Sequence, residues 1–385
     1  MEEEARCFLG KFVDEFPAAL EEGSPLPVSP LSRKVSLEEL HGESLELGLR
    51  LLAARGAPAI LSALLCQAAL SQLLQNDLSP FHCPQEAEAN QEEEQRVVLL
   101  QSEAVQRLFL NKLIDLALAW HQTFLKLPPS TSRFRRCSVH AIKNTRRKME
   151  DKHLALAEFN QLFGIQDGVE RAYYAVFDGH GGVDAATYAA THLHVALSKQ
   201  ETLQSDASTA FKNAFQNTDD IFRAKAKREV LKQHWSNTLN TLVSDDLHLN
   251  RYTHWCDFDQ KPYVSGDADC STTQLFGDED YVLLACDGFF DAVRPSMVPH
   301  LVLDALQQPG DTEGEGATPQ KQSEEITGLR VAQQLVSHAK AAGSSDNITV
   351  MLVFLRPLEQ LLSQDSSTET TQATQDSTSQ DAPQQ

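Results

Sequence analysis

The sequence predicts an α+β protein. A first third rich in leucines at three- and four-residue steps gives way near Phe134 to short apolar runs and glycine turns. Three of those runs end or begin on an aspartate, and a polar, low-hydrophobicity tail closes the chain.

Residues 1–130 form the expected helical N-terminal region. "SLEELHGESLELGLRLLAA" opens on Ser36 with Glu39 three residues on, the spacing of a capping box. "APAILSALLCQAALSQLL" (57–74) is apolar but interrupted by polar residues, so a buried helix is expected and not a membrane span. "VVLLQSEAVQRLFLNKLIDLALAWHQTFLKL" (97–127) reads as one helix stopped by Pro128 and Pro129. The acidic stretch between these helices reads as a solvated loop.

From Phe134 onward, "AYYAVF" (172–177), "YVLLAC" (281–286) and "ITVMLVFL" (348–355) have the length and β-branched or aromatic content of strands. "DAATYAATHLHVAL" (184–197) and "LRVAQQLVSHAKAAG" (329–343) read as helices, the second closed by Gly343. "FRAKAKRE" (222–229) reads as the exposed face of a helix end. Residues 359–385, rich in Ser, Thr, Gln and Asp, form the expected disordered tail.

A formal charge of −21 argues against nucleic acid or an anionic membrane as partner, because such surfaces are held by Lys and Arg releasing counterions. Seven cysteines, odd in number and without a Cys-x-x-Cys pair, suggest neither a disulfide framework nor a zinc site. With an N-terminus lacking the basic and apolar regions of a secretory leader, they point to a reducing, cytoplasmic setting.

The chemistry lies at the strand ends. "AYYAVF" runs into Asp178-Gly179, "YVLLAC" into Asp287-Gly288, and "ITVMLVFL" follows Asp346-Asn347. Strand ends share a rim of a sheet, so these carboxylates are placed to converge, and a divalent cation relieves their repulsion. All-oxygen ligands suit Mg²⁺ or Mn²⁺ better than Zn²⁺. Upstream, Glu150 and Asp151 add acids, and Arg146 and Arg147 offer planar forks for phosphate oxygens.

Read together, "RRKMED" (146–151), "VFDGHGG" (176–182), "LLACDGFFD" (283–291) and "SDNITVMLV" (345–353) resemble the metal-dependent PPM (PP2C-type) protein serine/threonine phosphatases. The wider wording is most similar to the branch of calcium/calmodulin-dependent kinase phosphatases, also called partners of PIX. The resemblance implies a central antiparallel β-sandwich flanked by helices over 134–358. It implies two Mg²⁺ or Mn²⁺ ions, bridged by Asp178, with the Gly179 carbonyl ligating one and Asp287 and Asp346 the other. Glu150 then acts through water, Arg146 binds phosphate, and His180 protonates the leaving alkoxide. The implied substrates are phosphoserine and phosphothreonine on calcium/calmodulin-dependent and p21-activated kinases, and the implied partners include PIX exchange factors.

The resemblance breaks at 233–255, where "QHWSNTLNTLVSDDLHLNRYTHW" stands in place of several central strands and only Asp257 survives of the motif that follows. Missing strands remove cross-strand partners and expose edges. A catalytically inactive chain that works as an interaction module through its N-terminal helices is therefore the alternative expectation. A metal site from His248, His254 and Cys256 is a minor one.

Overall fold

The computed structural model describes residues 2–84, 97–123, 136–240, 268–307, 319–357 and 360–361, and it divides into two compact units. The first comprises Met1–Ser132, Leu156–Tyr173 and Thr187–Ser271, and the second the remainder.

The first unit holds α1 (Glu2–Glu15), β1 (Lys34–Ser36), α2 (Leu37–Ala53), α3 (Ala59–Leu74), β2 (Leu99–Gln101), α4 (Ser102–Thr123), α5 (Phe159–Phe163), most of α6 (Asp184–Ser198) and α7 (Ala207–Asn240). The capping box at the start of α2 is present: Ser36 Oγ accepts from the Glu39 amide, and the Ser36 amide donates to the Glu39 carboxylate. Leu40, Leu45, Leu47, Leu51 and Leu52 are fully buried, so most of the circumference of α2 is covered. Two glycines permit this. A Cβ at Gly48 would lie 2.8 Å from Cys66 Sγ of α3 and 3.0 Å from the Phe109 ring of α4, and one at Gly42 would lie 2.6 Å from the Thr191 carbonyl of α6.

The continuous helix expected over 97–127 is divided. Leu99–Gln101 forms β2, antiparallel to β1 with Val35 opposite Leu100, and the helix begins at Ser102. The reason is a distant partner: Leu99–Gln101 pairs with β1, and the Ser102 amide is taken by the Arg33 carbonyl at 3.1 Å. The basic stretch after Phe222 also departs from expectation. Lys225 is turned inward, with Nζ 3.0 Å from Glu39 and 3.8 Å from Glu43, two carboxylates almost wholly buried. No described helix is long and apolar enough to cross a membrane.

The second unit contains β3 (Arg136–Ile142), most of β4 (Lys152–Leu156) and β5 (Tyr173–Phe177), β6 (Tyr281–Ala285), the short α8 (Asp287–Phe290), α9 (Val298–Gln307), α10 (Pro319–Ala341) and β7 (Ile348–Phe354). A three-stranded sheet has the order β3-β7-β6, antiparallel throughout, and β4 pairs with β5. Every residue of β7 is buried, as its unbroken apolar run requires of a central strand. Phe289, Val302, Val331, Leu335 and Val336 pack from α8, α9 and α10 into one core with β7. Helix α10 begins at Pro319, ten residues before the expected start, and Gly343 follows it at φ 101°.

Mixed helices and antiparallel sheets make the fold α+β as expected. Within 233–255, α7 carries the backbone to Asn240. Residues 241–255, including His248 and His254, lie outside the described residues, as do Cys256, Asp257 and the tail from 362.

Candidate active site

Three chain segments of the second unit meet where strands β5, β6 and β7 end or begin. β5 delivers Asp178, Gly179 and His180. β6 ends at Ala285, and Cys286 hands on to α8, whose first residue is Asp287. The turn after α10 brings Asp346 and Asn347 to the start of β7. A fourth segment, 143–151, joins β3 to β4 and carries Arg146, Glu150 and Asp151.

Gly179 and Gly288 let the segments touch. A Cβ at Gly179 would stand 2.3 Å from the Glu150 carbonyl, and one at Gly288 would stand 2.0 Å from the Asn347 carbonyl, distances no side chain tolerates. The glycine of each Asp-Gly pair is thus required by close backbone approach.

Asp178 and Asp287 are brought together: the Asp287 amide lies 3.5 Å from the Asp178 carboxylate. The Asp178 carboxyl is pushed up to about 6, first by loss of hydration and then by the charges of Asp287 and Asp151. The residue still presents surface to solvent. A carboxyl held above its ordinary range by burial and by neighbouring acids gains from any added positive charge.

Asp346 is engaged by a cation of the chain itself. Its carboxylate takes the Arg146 guanidinium at 2.5 Å. Among the described residues no group of three or more Asp, Glu, His or Cys side chains is disposed to hold a metal ion. The oxygen-donor chemistry expected of the site is present in the Asp178–Asp287 pair, and the third expected ligand is engaged by the expected phosphate anchor. His180 is exposed beside Asp178, and Glu150 is half-buried with its amide bonded to Asn347.

Other residues, less prominent in the sequence, knit the site. Asp151 is buried, accepting from Thr349 Oγ1 at 2.7 Å and lying 3.4 Å from the Gly179 amide. Cys286 Sγ accepts from the Thr349 amide, and burial pushes its thiol up to about 12, so it is a packing group and not a nucleophile. Asn347 makes three side-chain hydrogen bonds to segment 143–150. The Asp-Asn-Ile-Thr wording of 346–349 is visible in sequence, but its partners lie about 200 residues away and leave no local pattern.

The α+β fold with acids at adjoining strand ends is the setting in which the comparisons place the class of the protein. The model of the protein phosphatase 2C family matches residues 135–248 and 255–348, more than half of the chain, and the chain belongs to that family. It is an enzyme by that membership. Among individual relatives, human protein phosphatase 1F is 38% identical over an alignment of 419 positions that takes in 94% of this chain and 89% of that protein. Human protein phosphatase 1E is 36% identical across 87% of this chain, which spans 48% of that longer protein. A solved structure of a C. elegans sex determining protein superposes with a TM-score of 0.58 over 94% of this chain and 96% of its own, at 15% identity, a likeness of fold. The family match breaks between 248 and 255, within the segment where the motif pattern lapses.

Proposed function

We propose that the chain is a serine/threonine protein phosphatase that hydrolyses phosphoserine and phosphothreonine on protein kinases, using Mg²⁺ or Mn²⁺. The observation that carries this reading is the meeting of Asp178 and Asp287 at adjoining strand ends, with the Asp178 carboxyl raised by burial and then by its acidic neighbours, in a chain of the protein phosphatase 2C family. Two divalent ions, when bound, supply positive charge that lowers the pKa of water and offsets charge on the phosphoryl oxygens.

The chain's own residues then have distinct tasks. Asp178, the Gly179 carbonyl, Asp287 and Asp346 hold the ions. Arg146 leaves Asp346 and presents its fork to two phosphoryl oxygens, an exchange of one anion for another that its exposed position favours. His180, beside Asp178 and open to solvent, donates a proton to the departing serine or threonine oxygen. Glu150 orients water. The resemblance of the motif wording to the calcium/calmodulin-dependent kinase phosphatase branch is what supports kinase substrates of the calcium/calmodulin-dependent and p21-activated types, with PIX exchange factors as partners.

A second reading, an inactive chain serving as an interaction module, is favoured by the Arg146–Asp346 pair and by the lapse of the family match at 249–254. Hydrolysis of a phosphothreonine peptide by the full chain, with Mn²⁺ and with chelator, separates the two. Mn²⁺-dependent turnover that is lost in Asp178→Ala and Asp287→Ala is expected. A folded wild-type chain that neither binds Mn²⁺ nor turns over would establish the interaction module instead.

A further inference from the structure

We infer that Asn347 is a positioning residue: its side chain clamps the loop of residues 143–150 and so fixes where Arg146 and Glu150 stand relative to Asp346. The catalytic consequence rests on the phosphatase reading above, but the clamp does not.

The argument begins with the valence of an amide. A carboxamide has two N–H donors and one carbonyl oxygen, and all are engaged here. Asn347 Nδ2 donates to the Lys143 carbonyl at 2.9 Å and to the Lys148 carbonyl at 3.0 Å. Its Oδ1 accepts from the Glu150 amide at 2.8 Å. Rotating the amide by half a turn would face donor to donor and acceptor to acceptor at all three, so the orientation is fixed by its partners. The residue is 5% exposed, and water is not a ready substitute for these bonds.

All three partners are backbone groups, and they bracket Arg146 on both sides. Within the bracketed loop Asn144 takes the left-handed turn, at φ 52°, a conformation that asparagine adopts more readily than most residues. Two further bonds tie it to the residues just before Asp346, from Asn144 Nδ2 to the Ser344 carbonyl and from Thr145 Oγ1 to the Ser345 carbonyl. Asn347 is itself held from behind. Its amide donates to Asp346 Oδ1 at 2.7 Å, and its carbonyl lies against Gly288, next to Asp287. One residue therefore links the Arg146 loop, Asp346 and the Asp287 segment.

Aspartate is the informative replacement. It has the same shape and still accepts from Glu150, but it cannot donate to the two carbonyls and sets a charge against them. The test uses the full chain. With selectively ¹⁵N-labelled glutamate, the Glu150 amide should exchange with solvent at least tenfold more slowly in wild type than in Asn347→Ala. In Asn347→Asp, kcat/KM for a phosphothreonine peptide should fall about 10²-fold, the scale of an ångström-level misplacement, at a temperature where melting curves show both proteins folded. In an Arg146→Ala background the same substitution should cost several-fold less, because its target is already gone.

An equal loss in both backgrounds would reduce Asn347 to a fold-stabilising residue and overturn the positioning role. Free exchange of the Glu150 amide in wild type would overturn the clamp. Should Asn347→Asp fail to fold, Asn347→Ser, which keeps one donor, replaces it in the cycle, and the wild-type exchange rate decides the clamp. A wild-type chain without turnover would sink the phosphatase reading and the catalytic half of this inference, with the clamp still decided by exchange.

Discussion

Residue by residue, burial separates the charges this protein keeps near its core from those it leaves in water. Burial alone would raise Glu39, but Lys225 and the Ser36 hydrogen bonds outweigh it and hold the carboxyl below its ordinary value. Glu43, one helical turn on, is pushed up to about 7 by burial, against the opposing hydrogen bond from Ser32. Its unfolded value is near 4.5, so between those values the folded chain keeps a proton that the unfolded chain has released. The stability from this group is whole below about 4.5 and is lost as pH rises through about 7. Glu43→Gln, which cannot titrate and can still accept from Ser32, should therefore melt increasingly higher than wild type as pH goes from 5 to 8. His192 and His194, both held down to about 3 by burial, titrate with the opposite sign in either protein and cancel in the comparison. A difference that does not change with pH would refute the assignment. Lys225 shows why such a cluster is hard to read beforehand: in the sequence it belongs to a charged run, and only the packing of α2 on α7 turns it inward.

At the scale of elements, the sequence is most legible where local chemistry decides and least where a distant segment does. Helix α2 begins at its Ser-x-x-Glu cap because both halves of the bond lie within one turn. Ser36→Ala should cost about 1 kcal/mol, read from denaturant midpoints, while Ser36→Thr retains most of the stability. A loss no larger than that of an exposed serine would show the cap to be idle. Strands β5, β6 and β7 were equally plain, as were the acids at their ends, because a run of β-branched and aromatic residues stopping on Asp-Gly is a local event. The division of 97–127 into β2 and α4 was not, since the partner strand β1 is some sixty residues earlier. The engagement of Asp346 by Arg146 and the grip of Asn347 on 143–150 were also hidden, for each depends on a loop brought back across nearly the whole catalytic sequence.

For the whole molecule, the notable fact is the membership of the first unit. Helices α1 to α4 share a compact unit with α5, α6 and α7, which lie within the family's catalytic match, so the N-terminal helices are part of that body's core. Gly42 against the Thr191 carbonyl, Glu39 with Lys225 and the packing of α3 on α5 would all be opened by removing residues 1–132. Burying apolar surface contributes about 25 cal/mol per Å², and a domain's whole margin is about 5–15 kcal/mol. A chain starting at residue 133 should therefore lack a cooperative melt and be cut readily by protease, whereas the full chain resists. A truncated chain that melts as sharply as the full one would show the N-terminal helices to be an appendage.

The order of the β3-β7-β6 sheet also bears on how the protein is made. Its middle strand, β7, is the last strand among the described residues, and it pairs Arg136 with Phe354 across more than half the sequence. A growing chain on the ribosome therefore holds β3 and β6 with their shared partner still unmade, and the acids at these strand ends come together only once β7 has been made. Long-range pairings of this kind fold slowly, which leaves the nascent second unit the one most dependent on protection from aggregation.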